Sequence, residues 1–246
     1  MTLHYKTKGF VFKKNDRFES DRVFTIFTND FGKVKIYGKA IRKISSKLKG
    51  GIDIFSLSEI EFIQGKNRKT LTNALLVRRF GNIADDLLKL EISHRIGEVL
   101  NNFIIGQEKD EDIFNLINET FSTLGNCQTD DASQSVYFYF LWNFFSVLGF
   151  CPEVKKCAAC RAKLNPGELF FSFKEGGVIC KECSAKNKNL KKIDENAVKI
   201  IRLILEKDWN ILSKLKKNQA SADSLKDVSD GYYNFLSASQ AFKDDF

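Results

Sequence analysis

Four of the six cysteines stand in two pairs, Cys157-Ala-Ala-Cys160 and Cys180-Lys-Glu-Cys183, separated by 19 residues. A two-residue gap lets both sulfurs of a pair turn toward one ion, and two such pairs make a four-thiolate zinc set. Leu164–Val178 contains a hairpin pattern, Leu169–Phe173 then Gly176–Ile179, that would return the second pair to the first. Two other uses of the cysteines are weaker. No secretory signal precedes them, which argues against disulfides, and no thioredoxin-like βαβ setting surrounds a redox pair. With four protein thiolates the site is closed, so one structural Zn2+ is expected, with no open position for water chemistry. Cys127 and Cys151 read as ordinary partly buried thiols.

Other reactive constellations are missing. There are two histidines, His4 and His94, and neither has a catalytic partner in the sequence. No phosphate-binding G-x-x-x-x-G-K-[ST] loop, no H-x-E beside the cysteines and no G-x-S-x-G elbow occurs. The acidic groups Asp85-Asp86, Asp110-Glu111-Asp112 and Asp130-Asp131 sit where helices should start. The expectation is a protein that binds rather than catalyses.

The charge is uneven. Of 39 Lys and Arg, 18 fall in residues 1–80 with only 7 of the 31 Asp and Glu, a balance of +11 there against −3 in the remainder. A local positive field calls for a polyanionic partner. The nucleic-acid-binding candidates are Lys33, Lys35 and Lys39 with Tyr37 among them, then Arg42, Lys43, Lys47 and Lys49 in a flexible basic loop. Arg17, Arg22, Lys66, Arg68 and Lys69 lie on neighbouring turns. Lysines would neutralise phosphates, and Tyr37 would stack on a base.

These residues need a scaffold. Gly9–Lys13, Arg22–Thr28, Lys33–Ala40, Ile54–Ile63 and Leu71–Val77 read as strands, with a turn at Asn29–Gly32 and a bulge between Leu57 and Ile60. On the third strand Lys33, Lys35, Tyr37 and Lys39 share one face. Five short strands without a crossover helix predict a small antiparallel barrel, of oligonucleotide-binding (OB) or SH3-like type. After Arg79 the period turns helical: Leu88, Ile92, Ile96, Val99 and Phe103, then Ile113, Phe114, Ile117, Phe121 and Leu124. Val136–Phe150 is apolar nearly all round, as in a helix at the centre of a bundle. Asp194 is placed to cap a helix carrying Val198, Ile201 and Leu205, and the tail from Leu225 holds enough aromatics to pack back.

The fold class expected is α+β and multi-domain: a five-stranded OB-type barrel (1–80), a helical domain (81–150), an embedded zinc module (151–189) and C-terminal helices returning to the helical domain (190–246). The chain of 246 residues is long enough for several cores, and its 43% hydrophobic content excludes wholesale disorder. No run reaches the length of a bilayer span, and Met1–Lys8 lacks an apolar signal region, so a cytoplasmic location is expected.

The order of these parts resembles the RecO family of bacterial recombination mediators. Glu19–Thr28 is similar to that family's first barrel hairpin, and Gly32-Lys33 with Gly38–Lys43 to the basic stretch after it. Phe55–Glu61 is similar to its middle strand, and Leu148-Gly149-Phe150-Cys151-Pro152, leading to Cys157-Ala158-Ala159-Cys160, to the approach to its zinc module. The likeness runs from about Gly9 to Cys183 and fades in the last fifty residues. It implies an OB domain, binding of single- and double-stranded DNA, ATP-independent annealing of complementary strands, and nucleoid association. It also implies partnership with RecR and the single-stranded DNA-binding protein while recombinase is loaded. An RNA-binding or ribosome-associated OB protein with zinc is the alternative, and a zinc-bearing adaptor a third.

Overall fold

In the computed structural model, residues 3–214 and 218–241 are described. The chain divides into two compact units, residues 1–133 and 134–246.

The first unit is built on a closed barrel of β1 (His4–Arg17), β2 (Asp21–Thr28), β3 (Gly32–Gly38), β4 (Ser56–Gln64) and β5 (Lys69–Arg79), in the order β1-β2-β3-β5-β4. Closure depends on the length of β1. Its first half, His4–Phe10, pairs with β4, and its second half, Gly9–Arg17, pairs with β2. This strand is far longer than the Gly9–Lys13 run expected, because polar residues outside its apolar centre still pair through backbone groups. The β3–β5 contact is parallel and short; the other ladders are antiparallel.

Alternation fills the interior with Val11, Phe24, Ile26, Val34, Ile36, Ile60, Phe62 and Leu71. The irregularity expected between Leu57 and Ile60 falls at Leu57/Ser58, but the extra residue is on the partner strand rather than on β4. Burial alternates along β4 without a break, with Ser56 and Ser58 on the inner side and Leu57 turned outward. The extra residues are Val77 and Thr72 of β5, skipped where the β4–β5 register shifts beside Leu57/Ser58 and Glu61/Phe62. In the β2–β3 turn Gly32 has φ +57°, and a Cβ there would lie 2.1 Å from the Glu108 carbonyl oxygen, so no larger side chain fits.

Helices α1 (Leu87–Phe103) and α2 (Glu111–Asn126) belong to this same unit. Asp86 caps α1 by accepting from the Lys89 N–H, and Asp110 caps α2 by accepting from Ile113. Phe121 of α2 lies with its ring 4.3 Å from Phe10, 5.8 Å from Phe55 and 5.9 Å from Phe80. This aromatic cluster makes the compact unit extend past residue 80. The segment 81–150, expected as one helical domain, is therefore divided, with α1 and α2 in the unit that holds the barrel.

The second unit contains most of α3 (Asp130–Val147), then β6 (Leu169–Ser172), β7 (Gly177–Ile179), α4 (Lys181–Ser184), β8 (Leu190–Ile193), α5 (Glu195–Leu205), α6 (Trp209–Leu212) and α7 (Gln219–Ala241). As its composition implied, α3 is buried on all sides from Tyr139 to Phe145. Trp142 donates from Nε1 to the Ser229 hydroxyl at 3.0 Å and stacks on Tyr232 at 5.5 Å, so α7 does pack back. Buried Asn143 donates to the carbonyls of Tyr139 and Ile204. Asp194 caps α5 as expected, accepting from Asn196 and Ala197. The hairpin β6–β7 is present, and β8 adds a third strand in the order β7-β6-β8. The last expected tail residues, 242–246, lie outside the described ones.

Candidate metal centre and nucleic-acid interface

The sulfurs of Cys157, Cys160, Cys180 and Cys183 all lie within 4.8 Å of one another. Cys160 Sγ and Cys180 Sγ are 3.9 Å apart. Tetrahedral coordination with Zn–S bonds of about 2.3 Å requires sulfurs about 3.8 Å apart, so the four thiols fit a four-coordinate zinc-type ion. The sequence places them by two devices. The first pair sits in a tight turn closed by the Arg161 N–H on the Cys157 carbonyl (2.9 Å), with Arg161 at φ +64°. The second pair follows β7, with Cys180 immediately before α4 and Cys183 within it. Backbone bonds join the two: Ala158 N–H to the Val178 carbonyl, Val178 N–H to Glu153, and Glu153 N–H to Gly176. Gly177 permits this approach, since a Cβ there would meet the Glu153 carbonyl oxygen at 2.5 Å.

Electrostatics suit a cation at this point. Burial opposes ionisation of Cys157, but the N–H groups of Cys160, Cys180 and Ala159 outweigh it and hold the thiol at about 6. At Cys180 the Cys183 N–H pulls the thiol down. Burial, the Glu182 carboxylate and the neighbouring sulfurs push it up more strongly, to about 12. Without a cation, close thiolates resist further ionisation, and a metal ion removes that cost. Cys127 and Cys151 stand apart from the cluster. Cys127 is buried at the end of α2, whereas Cys151 is exposed rather than partly buried.

Several basic candidates converge at one end of the barrel. Asp16 accepts from Arg22 Nε at 2.6 Å and lies 3.5 Å from Arg42 Nε, and these two neighbours hold its carboxyl below the usual range. Arg22, Arg42 and Lys49 line a cavity of about 420 Å³ with Lys14 and Asp53, over a floor of Phe24, Ile41 and Ile52. Lys14 is not among the sequence candidates: the register shift between Val11 and Lys13 sets it opposite buried Phe24, where unbroken period-two alternation from Val11 would put Lys13. Beside the cavity, the Tyr37 hydroxyl donates to Asp21, and the Arg68 guanidinium lies over the Tyr37 ring, 4.1 Å from its centroid. Asp21 also accepts from the Ala40 N–H. Tyr37 is thus held at its hydroxyl and covered on one face.

The remaining candidates divide. Lys33 and Lys35 point outward on β3, but Lys33 donates to the Asn101 carbonyl (3.0 Å) at the end of α1. Lys39 lies beyond the end of β3, which stops at Gly38, so it does not continue the Lys33–Lys35–Tyr37 row. Lys69 donates to Gln107 (2.9 Å). The loop carrying Arg42, Lys43, Lys47 and Lys49 is not the unanchored loop expected. Its turns are closed by successive backbone bonds, and Leu48 packs on the barrel core between buried Ile41 and Ile52. Apolar anchors at those three positions hold the backbone while the lysines stay in solvent. Arg17, Lys35, Lys43, Lys47, Lys49 and Lys66 are exposed and engage no carboxylate among the described residues. No helix among the described residues is long and apolar enough to cross a membrane.

Comparison with known proteins adds identity to this geometry. Residues 1–80 match the family described as recombination protein O, N-terminal, and residues 84–244 its C-terminal counterpart. Curated relatives, each named DNA repair protein RecO, include one from Dehalococcoides mccartyi, 29% identical over 90% of this chain and 86% of its own. Another, from Caldicellulosiruptor saccharolyticus, is 29% identical over 94% and 92%. A third, from Halalkalibacterium halodurans, is 24% identical over 94% and 89%. With both domain descriptions matched in order and nearly the whole length covered, the chain belongs to the recombination protein O family.

Proposed function

We propose that this protein is a DNA-binding recombination mediator without catalytic activity. It holds single- and double-stranded DNA on the cationic end of an OB-type barrel and anneals complementary strands during repair. Family membership supports the repair role. The observation that carries the mechanism is the set of six exposed cations with no carboxylate partner, grouped on the barrel and its connecting turns. Two complementary strands repel through their phosphates. A surface that neutralises phosphate while leaving bases accessible lowers the encounter barrier, and no nucleotide hydrolysis is needed. The strand order, with β1 shared between β2 and β4, supports the OB assignment.

The four cysteines hold one structural Zn2+ that fixes the turn before β6 to the end of β7. A closed thiolate set supplies folding energy and no water chemistry. The single-stranded DNA-binding protein and RecR are the partners in this reading, with no membrane role. The test is gel retardation and strand annealing without nucleotide, on DNA and on RNA oligonucleotides, with and without a coat of single-stranded DNA-binding protein. Annealing of DNA, lost at high salt, is expected. Equal or better action on RNA would move the assignment to RNA, and no retardation at low salt would end it.

A further inference from the structure

Two phenylalanines in the barrel unit occupy left-handed backbone, and their contrast is informative. Phe55 has φ +56° and is 5% exposed, with its ring 4.9 Å from His94 and stacked on Phe121. Its burial offsets the unfavourable conformation. Phe18 has φ +51° and is 83% exposed, at the tip of the β1–β2 hairpin. A bulky side chain is disfavoured there relative to glycine or asparagine, and Phe18 recovers nothing by packing. Within the chain, then, the ring adds no packing that offsets its backbone conformation.

The surroundings define what such a ring can engage. Phe18 follows exposed Arg17, whose strand partner is Asp21, and the next pair on the ladder is Asp16 with Arg22. Asp16 gathers Arg22 and Arg42, and Asp21 holds Tyr37 under Arg68. The ring thus projects from the rim of the cationic end, with the nearby aromatic Tyr37 tied at its hydroxyl and covered on one face. A protruding ring beside phosphate-neutralising groups matches the chemistry of an unpaired nucleobase, which offers a flat π-face whatever its identity. We propose that Phe18 is a base-stacking residue that engages one unpaired base of a single-stranded polynucleotide held at this end of the barrel.

This inference rests on the mediator reading above. It makes the hairpin tip selective for unpaired over paired strands, since a base inside a duplex has no free face. The experiment uses the full chain and two single-stranded oligonucleotides of equal length and charge, one with bases and one abasic, measured by fluorescence anisotropy. Phe18→Gly suits the left-handed backbone, and Phe18→Trp restores a ring. For Phe18→Gly, binding to the base-bearing strand is expected to weaken about five-fold or more. Binding to the abasic strand should stay at the wild-type level, and the denaturant midpoint should not fall. Phe18→Trp should bind as tightly as wild type. If Phe18→Gly binds the base-bearing strand like wild type, or weakens equally on the abasic strand, the inference is overturned alone. If the wild-type protein binds neither strand, the mediator reading falls and takes this inference with it.

Discussion

The turns between β3 and β4 allow a quantitative test of electrostatic capture. Lys43, Lys47 and Lys49 are exposed and without carboxylate partners, on a backbone anchored by Ile41, Leu48 and Ile52. Changing all three to Gln removes charge without disturbing that anchor, so the change in folding stability should stay within about 0.5 kcal/mol for each. A cation that neutralises a phosphate of a single strand contributes about 0.7 to the slope of log K against log salt. Six such cations give a slope of about −4, and removing three gives about −2. Extrapolated from 1 M to 0.1 M salt, the loss is about two log units, or about 3 kcal/mol. The assay is anisotropy of a labelled single-stranded oligonucleotide across a salt series. Lys33→Gln is the comparison, because its amine is tethered to the Asn101 carbonyl away from this loop; its slope should change by no more than a single cation's share, about 0.7. A triple variant with the wild-type slope, or a Lys33→Gln change as large as the triple, would refute the reasoning.

Two further outcomes concern the scaffold. Metal analysis should find one zinc per chain; Cys160→Ser should lose it and lower the unfolding temperature, whereas Cys151→Ser should retain it. Acid should destabilise the barrel, because Asp16, Asp21 and Asp53 all have carboxyls held below their ordinary 3.8 in the folded state. For Asp16 the main cause is Arg22, and for Asp21 the Tyr37 hydroxyl. At Asp53 burial opposes the shift, and Lys14 with the Ile54 N–H overcomes it. A depressed folded pKa makes the unfolded state bind more protons, so this stabilisation is complete above about pH 4 and disappears as pH falls through the folded values. Denaturant midpoints from pH 6 to 2.5 should show the loss, and Asp21→Asn should flatten it; an unchanged profile would refute Asp21's part.

Local pattern was enough wherever one covalent or periodic constraint decides. Two C-x-x-C turns around a short hairpin leave the sulfurs few places to go, so the four-cysteine cluster is legible from spacing. The β-branched and aromatic run of β2, the alternation of β3, the helical period after Arg79 and the Asp194 cap are legible because each is satisfied within a few residues. Only tertiary pairing decided that β1 serves two neighbours and closes the barrel, since backbone partners leave no mark on side-chain type. The same holds for Lys33, which looks like Lys35 in sequence and is distinguished only by an α1 carbonyl 68 positions away. Residue type marks Tyr37 as a stacking candidate, but Asp21 and Arg68 already engage it in the fold, and nothing local marks Phe18 because exposure and left-handed backbone are properties of the folded hairpin. Residue type determined which groups can carry charge, bind metal or stack. The long-range fold decided which of them are already engaged by the protein, because that depends on neighbours the chain brings together only when it closes.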